Sequence, residues 1–228
     1  MNVETVANLL RYLGDLVHIS SKVVLASKIE KTKSCSGLSF KTQFLYLLVF
    51  ISRYFDIFEV NIRRFKSIYN FVLKLTFISF QCLVVYLIRK KYYSTYDRKT
   101  DVFQIRLILV PVSIISLLLK PSTNGVYDYI SEYLYTFSLI LESVSILPQL
   151  VQLQEEGECE SRTSTFIFLL GGYRFLYTLY FILKKISVGK VGTLLVTTGT
   201  IQVILYADFF SLYYRYVFSK KNNNEIEQ

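Results

Sequence analysis

Seven apolar blocks, each of roughly the twenty residues needed to cross a bilayer's hydrocarbon core, fill the chain at about 5–27, 42–60, 69–88, 102–119, 131–153, 164–183 and 191–214. No water inside hydrocarbon can serve the backbone, so blocks of this length are compatible with helices and little else. The pattern predicts an all-α fold, a seven-helix transmembrane bundle over residues 1–214 followed by a polar tail at 215–228 that ends SKKNNNEIEQ. Composition agrees, since 52% of the 228 residues are hydrophobic and 16% aromatic, and the mean hydropathy is positive. Short connections leave no room for a separate soluble domain.

The blocks are not clean. The first contains LLRYLGDLVHIS, and its Arg11, Asp15, His18 and Lys22 recur at steps of four, three and four, which puts them on one helical face. A charge at the centre of a membrane helix costs about 2.5–3.5 kcal/mol, against about half a kcal/mol gained per leucine. The stripe is therefore expected to face protein or water. The same expectation holds for Arg53 and Asp56, for Glu132 and Glu142, for Arg174 and for Asp208. Walking each helix inward from its end places Arg11, Arg53, Asp56, Glu132 and Lys184 near one membrane face. His18, Glu142, Tyr173 and Arg174 fall nearer the midplane.

Placement of the net +9 charge sets an orientation. Loops on the side of KIEKTKSCSGLSFK, RKKYYSTYDRKTD, QEEGECESRTS and the tail carry about thirteen Lys and Arg, against about seven opposite. The N-terminus is thus expected in the lumen or exterior and the C-terminus in the cytosol, although NIRRFK and KKISVGK run against the trend. Cys35, Cys82 and Cys159 lack metal-ligand or redox spacing and are expected to be free thiols. The first block is interrupted by charges and lacks a small-residue cleavage site, so it is expected to stay in the membrane.

Helices one and two resemble helices five and six in layout. GDLVHISSK and LESVSILPQ each place an acid, Asp15 or Glu142, in an apolar run, and each precedes an aromatic helix with an arginine, Arg53 in FISRYFD or Arg174 in LGGYRFLY. This predicts two parallel three-helix repeats joined by a fourth linking helix, with a site at their interface. Pro111 and Pro148 are expected to kink the fourth and fifth helices, and Pro148-Gln149 pairs a hinge with a hydrogen-bonding group.

Bland readings compete at each position. Arg53 and Asp56, three residues apart, could form a self-satisfying pair. Tyr173, Tyr177, Tyr180 and Lys184 repeat at helical spacing, which for tyrosines usually means packing. Convergence of the charges at one end favours a binding funnel of both signs. Such a funnel suits a short peptide with an acidic C-terminus and a basic group, because arginine forks hold carboxylates and carboxylates hold ammonium or imidazolium. Histidine titrates between neutral and mildly acidic compartments, so a pH-dependent switch is expected.

The runs RYLGDLVHIS, KTKSCSGLSFKTQFLYLLVFISRYFDIF, STYDRKTDVFQIRLILVPV, YTFSLILESVSILPQL and QVILYADFFSLY resemble the endoplasmic reticulum protein-retaining receptors. That family recognises C-terminal Lys-Asp-Glu-Leu or His-Asp-Glu-Leu (KDEL/HDEL) and shares a seven-helix fold with SWEET and PQ-loop proteins. The resemblance implies that Arg11 contacts an acidic side chain of the signal and Arg53 its terminal carboxylate. It implies that Asp56 and Glu132 receive the signal's first, basic residue, and that His18 senses pH near Tyr173 and Glu142. Tyr54 and Arg174 fall in matching motifs. Where the family has Asn-Trp and, three residues on, Arg, this chain has Tyr180, Phe181 and Lys184, and Tyr135 replaces a tryptophan. These departures bear on the preferred tetrapeptide. Lys220 and Lys221 resemble tail lysines read by the COPI vesicle coat; alternatively they are an ordinary stop-transfer flank.

The resemblance implies a receptor that cycles between Golgi and endoplasmic reticulum, without a cofactor, a metal or a nucleic-acid partner. Two rivals stand beside it. A sugar-carrier-like transporter explains the helices and the repeat but not the clustered charges. An intramembrane enzyme would need His18 with Glu142 or Asp15 as acid and base, yet the chain offers no nucleophile motif or metal-ligand set.

Overall fold

The computed structural model describes residues 3–57, 65–156, 161–189 and 191–226, with side chains described except at 65–66, 156, 161–164, 188 and beyond 211. The helices are α1 (Val3–Thr32), α2 (Phe40–Arg53), α3 (Phe65–Tyr86), α4 (Arg106–Leu119), α5 (Val126–Val144), α6 (Leu147–Glu156), α7 (Ser161–Val188) and α8 (Thr193–Ile226). A π turn (Leu87–Lys91) and a 3-10 turn (Tyr93–Thr95) continue α3. The segments α5 and α6 form one span broken at Ser145 and Ile146, so the described residues make a seven-helix bundle with no strand. Four spans are long and apolar enough to cross a membrane: Ser67–Lys91, Val126–Glu155, Thr165–Ser187 and Thr193–Ser211. The shorter α4 is also apolar.

In α1 the inside and outside are reversed relative to a soluble helix. Asp15, His18 and Lys22 are 6%, 4% and 0% exposed, whereas Leu9 and Leu16 are 50% and 62% exposed. Buried positions recur as Ala7, Gly14, Asp15, His18, Ser21, Lys22, Leu25, Ala26 and Ile29, the stripe expected of a 3.6-residue period. That stripe packs along α7. The approach is close at Gly14, where an added Cβ would lie 2.9 Å from the Tyr177 ring. A charged inner face and an apolar outer face suit a bundle solvated by lipid.

Helix pairing has internal two-fold character. In the first half α3 packs against α1 and α2; in the second, α8 packs against α5 and α7. The cross-pairs are α1 with α7 and α2 with α5. Exchanging α1 with α5, α2 with α7 and α3 with α8 maps every one of these pairs onto another. The helix α4, lying outside the exchange and packing on α5, is the linker.

Several boundaries differ from the sequence expectation. The second helix ends at Arg53, with Tyr54 leaving helical geometry (φ −105°, ψ 30°), rather than running to 60. The fifth begins at Val126 instead of 131, and α8 continues past 214 to Ile226. The break in the fifth span precedes Pro148, which sits in the first turn of α6, where a missing amide donor leaves no bond unmade. Gln149 closes the break. Its amide donates to Thr42 Oγ1 (2.9 Å), its side chain donates to the Gly37 carbonyl (2.9 Å), and its Oε1 accepts from the Ser39 amide (2.9 Å). Gly37 turns here at φ 71°, a conformation that favours glycine. Ser39 caps α2 and also donates to Asp101 Oδ1 (3.0 Å), which is 2% exposed. Tyr96 (2.6 Å) and the Lys41 amide (3.2 Å) complete the Asp101 carboxylate. This knot ties the two halves at the end of the bundle opposite the pocket described next.

Candidate functional site

The ends of α1, α2, α3, α5, α7 and α8 away from the Gln149 knot enclose a cavity of about 330 Å³. That volume falls in the range of small-molecule sites. Arg11, Asp15, His18, Arg53, Tyr54, Tyr135, Glu142, Arg174 and Tyr180 all line it. A second, outer cavity of about 490 Å³ is lined by Asp56 and Glu132, and shares Arg53, Tyr54, Lys74 and Tyr135 with the first. Lys184 lines neither of these two; its Nζ donates to Tyr180 Oη at 3.1 Å.

At the floor, Glu142 is 1% exposed. Arg53 Nη1 approaches its Oε2 at 2.5 Å, Arg174 Nη2 reaches the same oxygen, and Tyr173 Oη donates to Oε1 at 3.0 Å. A carboxylate this deep is tolerable because two guanidiniums and a hydroxyl replace its lost water. Arg53 is further held by Ser138, through the hydroxyl (3.2 Å) and the carbonyl (3.1 Å). His18 stacks on Tyr173 (centroids 3.8 Å apart, planes at 6°) and on Phe77 (4.3 Å). The imidazole thus touches the ring whose hydroxyl holds Glu142.

One turn deeper, Lys22 is wholly buried, its Nζ 4.6 Å from the Tyr46 ring centre, 5.3 Å from Phe50 and 6.0 Å from Phe166. Its Nζ has no hydrogen-bond partner among the described residues. Just beyond, Tyr46 and Tyr206 join hydroxyl to hydroxyl at 2.8 Å.

Nearer the mouth, Asp15 accepts from Tyr177 Oη and from Tyr69 Oη (3.0 Å), and Arg11 donates to Asn70 Oδ1 at 2.9 Å. Tyrosines at helical spacing on α7 therefore do more than pack, since Tyr173 and Tyr177 each hold a buried acid. Arg53 and Asp56 do not pair with each other. Arg53 turns inward to Glu142, while Asp56 turns to Lys74 on α3, whose Nζ lies 2.8 and 2.7 Å from its two oxygens. Ending α2 at Arg53 removes the continuous helix on which the two would be neighbours.

Lys74 was missed as a site residue, although its signal is present: a lone charge inside FVLKLTF is as costly in a membrane helix as those in α1. Asp208, expected to face protein or water, lies away from the funnel. It is exposed on α8, outside both cavities, about fifteen residues from the pocket end, where the bundle nears its other surface. Lys220 and Lys221 lie outside the residues whose side chains are described, and Cys159 lies outside the described residues altogether. Among the described residues no three His, Cys, Asp or Glu converge as metal ligands.

Together these features define a helical membrane protein with a ligand-sized pocket of mixed charge between two similar halves. Comparison with known proteins supplies the family. The family model described as ER lumen protein retaining receptor matches residues 34–184. A Dictyostelium discoideum protein named ER lumen protein-retaining receptor is 41% identical over 207 residues, covering 90% of this chain and 93% of that protein. ER lumen protein-retaining receptor 2 of Bos taurus is 42% identical over 206 residues, with the same coverage. A Caenorhabditis elegans receptor, erd-2.2, is 39% identical over 220 residues, 96% of this chain and 99% of its own. The chain belongs to the ER lumen protein retaining receptor family. That is a family of receptors rather than enzymes, and with the membrane-spanning helices it points to an endoplasmic reticulum or Golgi membrane.

Proposed function

We propose that residues 1–214 form a pH-dependent receptor for C-terminal retrieval signals of the KDEL/HDEL type. It captures luminal proteins in the Golgi and returns them to the endoplasmic reticulum in COPI-coated vesicles. The N-terminus faces the lumen, and the tail, 215–228, presents Lys220 and Lys221 to the coat. The observation that carries the reading is the pocket's charge distribution, three arginines beside the buried acids Asp15 and Glu142 inside and an acidic rim of Asp56 and Glu132 outside. An extended peptide with a carboxylate at its end, acids next to it and a base further out matches that order.

In this reading Arg53 holds the terminal carboxylate and Arg11 an acidic side chain. Asp56 and Glu132 take the signal's first residue, and Tyr54, Tyr135, Tyr180 and Lys184 shape the walls. Arg53 is paired with Glu142 (2.5 Å), so a ligand carboxylate must compete for that guanidinium. Protonation of His18, stacked on Tyr173, supplies positive charge beside Glu142 as Arg53 is drawn to the ligand. Binding is therefore favoured at acidic pH and lost towards neutrality.

The test is direct binding of a labelled Lys-Asp-Glu-Leu peptide to the purified receptor from about pH 5.5 to about pH 7.5, the ordinary imidazole range. Affinity is expected to fall across that range for the wild type, to change little for His18→Ala, and to vanish for the amidated peptide. Equal binding of the acid and the amide refutes the pocket assignment.

A further inference from the structure

Two pocket cations, Arg174 and Lys74, have no part in the proposed signal contacts; Arg174 is held on Glu142, and Lys74 is left without a task. Lys74 lines both cavities, and its ammonium bridges the two Asp56 oxygens at 2.8 and 2.7 Å. Its Nζ also lies 5.8 Å from the Tyr54 ring centre. The site it occupies is the one that the reading above gives to the signal's first residue, and the inference rests on that reading. The outer subsite thus already holds an ammonium on Asp56.

We propose that Lys74 determines specificity at this position by acting as an internal stand-in for the ligand's basic group. The acids Asp56 and Glu132 present two negative charges, and Lys74 reduces their sum to one. A signal with a cationic first residue displaces Lys74 from Asp56. One with a neutral first residue leaves the ion pair intact, so no carboxylate is stranded. The side chains of Lys74 and Asp56 are 23% and 43% exposed, and an ion pair this accessible to water is weak enough to exchange. The displaced ammonium is not stranded either, because Lys74 borders the inner cavity into which the signal's acidic groups enter. Lys74 thereby narrows the preference for a basic first residue. Without it, a neutral residue faces two uncompensated acids while a basic one no longer has to compete.

The experiment measures binding of Lys-Asp-Glu-Leu, His-Asp-Glu-Leu and Ala-Asp-Glu-Leu, each carried on the same uncharged N-terminal extension, at mildly acidic pH. The full-length receptor is compared with Lys74→Met, Lys74→Gln and Lys74→Arg. The readout is the ratio of Kd for the alanine peptide to that for the lysine peptide, in which any loss common to all peptides cancels. The ratio is expected to rise about fivefold in Lys74→Met and Lys74→Gln, as release of an exposed ion pair allows, and to stay near wild type in Lys74→Arg. An unchanged or smaller ratio in both neutral variants overturns the proposal. Failure of the pocket reading itself shows in the wild-type arm alone, as absent binding or binding that survives amidation, and overturns the proposal with it.

Discussion

Replacing Lys22 by methionine is expected to stabilise the protein. The ammonium is wholly buried and has no hydrogen-bond partner among the described residues. An ion in that condition costs several kcal/mol even after the surroundings relax. The rings of Tyr46, Phe50 and Phe166, at 4.6, 5.3 and 6.0 Å, return about 2 kcal/mol through cation–π attraction. Glu142 attracts the ammonium too, but shares its charge with two guanidiniums and the Tyr173 hydroxyl. Methionine keeps the length of the stem and exchanges the charge for sulfur–aromatic contact. The balance favours Lys22→Met by about 2 kcal/mol. At about 2–4 °C per kcal/mol for a chain of this size, Tm is expected to rise by about 4–8 °C. The assay is the folded fraction remaining on size-exclusion chromatography after stepwise heating in detergent. A Tm equal to or below that of the wild type refutes the reasoning, because the lysine would then be adequately compensated. A gain shows that the cation is held in place against stability, as groups retained for function commonly are.

Two further outcomes follow from the same geometry. Glu142→Gln leaves Arg53 and Arg174 buried around a neutral group and is expected to destabilise by about 3–5 kcal/mol, as when one partner of a buried pair is removed; Glu142→Asp retains the charge, and a loss as large as that of Gln in the heating assay contradicts the assignment. With Cys82 and Cys159 replaced by serine, Cys35 is expected to alkylate at least about tenfold more slowly than in the denatured chain, because burial raises its thiol above the usual range and lowers the thiolate fraction at neutral pH. Its rate continues to climb past the ordinary thiol value as pH increases, and a plateau near that value refutes the burial.

The charged face of α1 was legible because helical period and insertion cost point the same way: Arg11, Asp15, His18 and Lys22 had to lie on one side and face protein. The repeat was legible for a related reason, since an acid and then an arginine recur in the same order in both halves. Where helices stop was less so. FISRYFDIF stays largely apolar beyond Arg53, and nothing local marks the turn at Tyr54. Pro148 was over-read, as a proline reports a local restriction while the break before it is held by the distant Ser39, Thr42 and Gly37. Lys74 escaped notice because its partner Asp56 is 18 residues away in sequence and no spacing rule joins them.

The knot of Gln149, Ser39 and Asp101 has a mechanical consequence. It clamps the start of α2 to the start of α6, so α2, which carries Arg53 at its other end, behaves as a cantilever anchored at its far end. With its 14 residues, α2 is about 21 Å long. A tilt of about 5° at the clamp would therefore carry Arg53 by about 2 Å, enough to trade one carboxylate partner for another. Small angular freedom at the anchored end becomes chemically meaningful travel at the mouth.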